Sequence, residues 1–167
     1  MRPVALAAVV LAALLAATSR GRADEAIVTY KSLAPDTAFD LAKAALAGCR
    51  SHGYQVAVAV LDRFGQTLVL LRDQYAGLPA AETAHDKAYT ALSFRHSSGA
   101  FAQAIQSGEL STGLANLPHI VPLAGGLAIE AAGSVLGAVG VAGAPAGDQD
   151  EECAKAGLDA VRDRLDF

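Results

Sequence analysis

The sequence predicts an α+β fold in which helices clad an antiparallel or mixed sheet. Three observations carry this expectation. Two runs rich in valine and leucine, residues 54–61 and 66–72, flank the turn-like Asp62-Arg63-Phe64-Gly65, which reads as a hairpin. The tail HIVPLAGGLAIEAAGSVLGAVGVAGA reads as two or three further short strands, separated at Gly125-Gly126 and at Ala132-Gly133-Ser134. Three other stretches place small or apolar residues at the 3.6-residue spacing of a helix. A parallel doubly wound sheet would alternate strand and helix strictly, and the hairpins break that alternation.

In chain order, Ala38, Leu41, Ala42, Ala45 and Cys49 form one helical stripe that ends near His52, with Gly53 as the stop signal. Both strands of the hairpin are almost continuously apolar, so the sheet is expected to be covered on both faces. Leu78-Pro79 breaks the chain, and AAETAHDKAYTALSFRH then carries Ala81, Ala84, Ala88, Ala91 and Leu92 at helical spacing. Such small side chains allow close packing. A short helix follows over residues 100–106, then a loop from Gly108 to Pro118. After the tail strands, Ala154, Leu158, Val161 and Leu165 mark a closing helix from about Asp148. Its first turn holds Asp148, Asp150, Glu151 and Glu152, where the positive end of the helix dipole favours them.

The chain begins MRPVALAAVVLAALLAATSRGRADEA, an early arginine followed by an apolar stretch too short to span a bilayer comfortably and then by small residues. Residues 1–23 read as a signal peptide cut near Ala23, which predicts a periplasmic or secreted protein. An uncleaved anchor is the alternative. Residues 24–167 are the size of one domain. The formal net charge of −4 falls to −7 once the leader's three arginines are removed, and such a surface does not attract nucleic acid. Cys49 and Cys153 lie in the exported part, where oxidation is permitted. They read either as a disulfide, worth about 4–5 kcal/mol in the chain-entropy model, or as two small buried thiols.

Chemistry is less legible than fold. No Cys-x-x-Cys, His-x-x-x-His or His-Glu-x-x-His is present, so a structural or hydrolytic zinc centre finds no motif. Ser134 lacks the frame of a nucleophile elbow. The glycines of GAVGVAGAPAG do not follow a dinucleotide fingerprint and read as close packing and turns. Four histidines remain: His52, His85, His96 and His119. His85 and His96 stand eleven residues apart and would share a face if the helix persisted that far. Lys87 and Arg95 flank them.

The blocks AVAVLDRFGQTLVLLRD, HDKAYTALSF, AGGLAI, GAVGVAGA and DQDEECAKAGL, in that order, resemble the GlcG/HbpS family of haem-binding proteins, also called haem-degrading domains. Within them the family's Val-Asp-x-x-Gly turn becomes Leu61-Asp62-Arg63-Phe64-Gly65, and its Lys-Ala-x-Thr-Ala helix runs from Lys87 to Ala91. The Gly-Gly-x-Pro-Ile turn spans Gly125 to Ile129, with Ala128 for the proline, and Ala142 replaces a serine in the last glycine-rich block. The resemblance implies a profilin-like, five-stranded antiparallel sheet with helices on both faces, assembled into homo-oligomers. It also implies haem as the ligand and a sensor kinase or other membrane partner, but places no iron ligand on this chain; His85 and His96 are candidate iron ligands from their spacing and from imidazole chemistry alone. Arg72, Lys87, Thr90 and Arg95 are the candidate ligand-binding residues. Arg72, at the end of a strand, is expected to grip a carboxylate in a cleft shared with Lys87 and Thr90, or else to form a surface pair with Asp73 or Glu82. The expected function is an exported protein that sequesters, delivers or senses haem. The alternatives are an enzyme or accessory protein that binds a small hydroxy or keto acid, and a structural oligomer.

Overall fold

The structure, a computed structural model, describes residues 26–165. The expected signal peptide lies outside them. The chain divides after Tyr30, and the unit that begins at Lys31 is described here. Its elements are α1 (Pro35–Ser51), β1 (Ala57–Asp62), β2 (Thr67–Arg72), α2 (Ala80–Phe94), α3 (Ser98–Gln106), β3 (Gly126–Ala131), β4 (Ser134–Ala142) and α4 (Gly147–Val161). Short 3₁₀ turns occupy Thr112–Asn116 and Arg162–Arg164. No helix among the described residues is long and apolar enough to cross a membrane.

All strand pairs are antiparallel, in the order β2-β1-β4-β3. The β1–β2 hairpin closes as its sequence predicts. The Asp62 carboxylate accepts from the N–H groups of Phe64 and Gln66 at 2.8 and 2.9 Å, and Gly65 takes φ of 79°, which only glycine adopts cheaply.

The expectation of five strands is corrected to four among the described residues. Two of the possible tail strands form. The stretch before them does not, because Pro118 and Pro122 carry no N–H for a ladder and His119 sits at φ of 63°. The Leu123 N–H instead turns back onto the Val121 carbonyl. Near the start of the unit Leu33 donates to the Leu136 carbonyl. Pro35 then opens α1, so no strand develops there.

Alternation along the strands divides the sheet into two unlike faces. Val56, Val58 and Val60 join Val139 and Val141 in one core with Leu41, Ala45, Cys49, Cys153 and Ala154 of α1 and α4. Those two helices are joined by the Cys49–Cys153 disulfide, with Cα atoms 5.3 Å apart across a sequence separation of 104. On the opposite face Ala57, Ala59, Leu61, Ala138 and Ala142 meet Ala80, Ala84 and Ala88 of α2. A Cβ placed on Gly140 would lie 2.0 Å from the Ala84 carbonyl oxygen, and one on Gly126 would lie 2.0 Å from that of Lys87. Helix backbone thus rests almost directly on sheet backbone.

Candidate functional site

Among the described residues no buried side-chain nitrogen or oxygen lacks a hydrogen-bond partner. Ligand chemistry therefore falls to groups that reach the surface. Lys87 is not one of them. It is 3% exposed, and its Nζ donates to Asp150 Oδ2 at 2.7 Å and to the Val141 carbonyl at 3.1 Å. The second carboxylate oxygen of Asp150 accepts from the Ala144 N–H at 2.9 Å. Burial pushes the Asp150 carboxyl above its ordinary range, although the Lys87 hydrogen bond pulls it back. Lys87 and Asp150 tie α2, β4 and α4 together. Thr90 has a similar office. Fully buried, it donates from Oγ1 to the Asp86 carbonyl at 2.7 Å and accepts from the Val121 N–H at 2.8 Å, which fastens the loop after Pro118 to α2.

The cleft expected between Arg72 and Lys87 is not what the structure brings together. Arg72 lines a hollow of about 330 Å³ with Arg50, Gln55, Asp73 and Gln74, and Lys87 is not part of its wall. Neither surface pair expected for Arg72 forms. Its guanidinium donates to the Ala76 carbonyl, while the buried Asp73 carboxylate is taken by Arg50, with Nε at 2.8 Å.

His85 and His96 do not share a helix face, because α2 ends at Phe94 and Arg95 caps it in the left-handed region with φ of 54°. His96 stands instead in the connection to α3, beside a sizeable hollow. About 670 Å³ in volume, this hollow runs along the edge strand β3. Its lining includes Arg95, His96, Leu127, Ile129, Leu158 and Arg162. His96 also borders a second hollow of about 380 Å³ that reaches Phe94 and Phe101, whose rings stack at 4.1 Å. One imidazole, two guanidiniums, the Glu130 carboxylate and several apolar side chains therefore line one place, and the Arg162 guanidinium also donates to Asp159. Such a set suits a flat, largely apolar ligand that carries carboxylates.

His85 belongs to a different cluster. Its Nδ1 and that of His119 lie 3.0 and 3.1 Å from the same Asp86 Oδ1, and the Tyr89 ring packs on both imidazoles. His52 is remote from both places, stacked on Tyr54 just past the end of α1.

A family model described as "Haem degrading protein HbpS-like" matches residues 33–159. The chain belongs to that family. Its fold is similar to a crystallised double mutant of HbpS from Streptomyces reticuli, at 35% identity and a TM-score of 0.77, over 86% of this chain and 94% of that one. It is also similar to a structure titled as a PduOC:heme complex, at 26% identity and a TM-score of 0.73, over 77% and 94% of the two chains. An uncharacterised 15.0 kDa protein from the dhaT-dhaS intergenic region of Citrobacter freundii is 36% identical over 106 residues, which cover 62% of this chain and 74% of the other.

In this HbpS-like chain the blocks that carry the resemblance are largely packing devices. Lys87 and Thr90 lock α2 in place, while Gly126 and Gly140 let it approach the sheet. Sequence reasoning missed Asp150 as the partner of Lys87, Arg162 in the β3 hollow, and Asp86 as the link between two histidines. Only the third had a signal, since Asp86 adjoins His85.

Proposed function

We propose that this protein binds haem in the hollow beside β3, with His96 toward the iron and Arg95 and Arg162 toward the propionates. The observation that carries the reading is that one imidazole, two guanidiniums and the apolar side chains of Leu127, Leu158 and Leu165 line one hollow of about 670 Å³. Membership of the HbpS-like family and the likeness to PduOC, crystallised with heme, support it. The donor set fits the group: an imidazole nitrogen can ligate haem iron, and guanidiniums suit the two carboxylates, Arg162 exchanging its exposed bond to Asp159 for one of them. Haem would supply an iron centre, while the protein would hold the ring's apolar face away from water and neutralise its charge.

In this reading the protein is exported, on the strength of its leader, and sequesters, delivers or senses haem rather than acting as an enzyme. Assembly into a homo-oligomer, and a sensor kinase or other membrane partner, follow from the family pattern. The Arg72 hollow favours a second reading. Its two guanidiniums and the amides of Gln55 and Gln74 suit a small hydroxy or keto acid, which the chain would bind as an enzyme or accessory protein.

Titration of the apoprotein with haemin tests the first reading. A Soret shift that saturates at a defined stoichiometry is expected, and His96→Ala should change the spectrum and weaken binding. His52→Ala, His85→Ala and His119→Ala should leave both intact. A spectrum indifferent to His96→Ala, or a shift that never saturates, would remove the assignment.

A further inference from the structure

We infer that His85, Asp86 and His119 form a binding site for a divalent transition-metal ion of the zinc type, separate from the haem hollow. One ligand atom from each residue lies within 4.8 Å of the others. Nitrogens and oxygens that share a tetrahedral metal at about 2.0–2.1 Å stand about 3.3 Å apart, so modest side-chain rotations close the set. Two imidazole nitrogens and one carboxylate oxygen form a mixed donor set that a dication accepts. Calcium and magnesium want more oxygen ligands than this site offers, whereas imidazole-rich sets suit zinc, copper, nickel and cobalt.

The donors are held in advance. His85 and Asp86 are adjacent on α2, and the Tyr89 ring stacks on His85 at 6.2 Å and meets His119 edge-on at 5.7 Å. His119 comes from the loop that Thr90 fastens to α2 through the Val121 N–H. Solvent reaches the site, since the side chains of His85 and His119 are 28% and 57% exposed. A fourth position is thus left to water or a small ligand, as in open three-ligand zinc sites.

These three donors crowd one side of a single point. A free ion can accept all three.

The test uses untagged full-length protein, freed of metal with a chelator and titrated with Zn²⁺ by calorimetry, with Co²⁺ as a spectroscopic probe. One equivalent is expected to bind, with cobalt absorption typical of nitrogen and oxygen ligation. His85→Ala and His119→Ala should each weaken binding by at least about tenfold. Asp86→Asn should do the same, with its melting temperature confirming that it folds. His52→Ala and His96→Ala should bind Zn²⁺ as the parent does. Absence of saturable uptake by the parent, or an unchanged affinity in His119→Ala, would overturn the assignment. Haemin titration of the same variants keeps the two sites apart, since loss of zinc with an intact Soret response leaves the haem reading untouched.

Discussion

The two faces of the sheet are built on opposite principles. Toward α1 and α4, valines at every second position keep the helices at side-chain distance, and the Cys49–Cys153 bond joins the two. Toward α2, alanine and glycine remove the side chains, so that peptide groups of helix and sheet nearly touch. A valine core pays for lost volume in proportion to the cavity left, since neighbouring side chains relax partly into the space. Close backbone contact has no such slack. The α2 face is therefore the brittle one, and it also carries the buried Lys87–Asp150 ion pair.

The largest effect is expected where that closeness is violated. Gly140→Ala would force a methyl group to 2.0 Å from the Ala84 carbonyl oxygen, and backbone cannot yield as a side chain does. A loss of more than about 3 kcal/mol is expected, beyond the usual cost of overpacking, and denaturant unfolding would measure it. A near-normal midpoint would show that α2 can lift off the sheet and would erase the contrast between the faces.

Next comes the ion pair. Lys87→Met strands Asp150 as an uncompensated buried carboxylate and should cost about 3–5 kcal/mol, whereas Lys87→Met combined with Asp150→Leu should recover much of the loss. If the double variant is as unstable as the single one, the hydrogen bonds to Val141 and Ala144 matter more than the pairing of charge.

Smallest of the three is the covalent link. Cys49→Ser with Cys153→Ser should lower stability by about 2–4 kcal/mol, the usual range for a disulfide and below what the chain-entropy model gives for so long a loop, while the valine core keeps α1 and α4 in place. Retention of the far-ultraviolet circular dichroism spectrum and of a cooperative melt would sharpen the comparison. Loss of the folded state would show that the valine face depends on its bond.

These contrasts explain what could be read in the sequence. Local signals are complete within a few residues, so the Asp62–Gly65 turn, the helical stripe of Ala38 to Cys49 and the small-residue character of α2 were all legible. The fifth strand, allowed by the two or three runs of the tail and implied by the resemblance, is absent among the described residues, since Pro118, Pro122 and the left-handed His119 interrupt the stretch before β3. The candidate sites were harder to read, because each depends on partners far along the chain. Lys87 looked like a ligand-binding cation until Asp150, 63 residues away, was seen beside it. His85 and His96 looked paired by helical spacing until Arg95 ended the helix. His119 meets Asp86 across 33 residues, and no local pattern foretells that.

The Cys49–Cys153 bond has a further effect on how the molecule withstands attack. Nearly the whole sheet, together with α2 and α3, lies within the ring of chain it closes, including the exposed stretch around Ser107 to Gly113. A protease that nicks this stretch leaves two fragments tethered as one particle, which part only after a reductant is added. One bond thus protects integrity as well as shape.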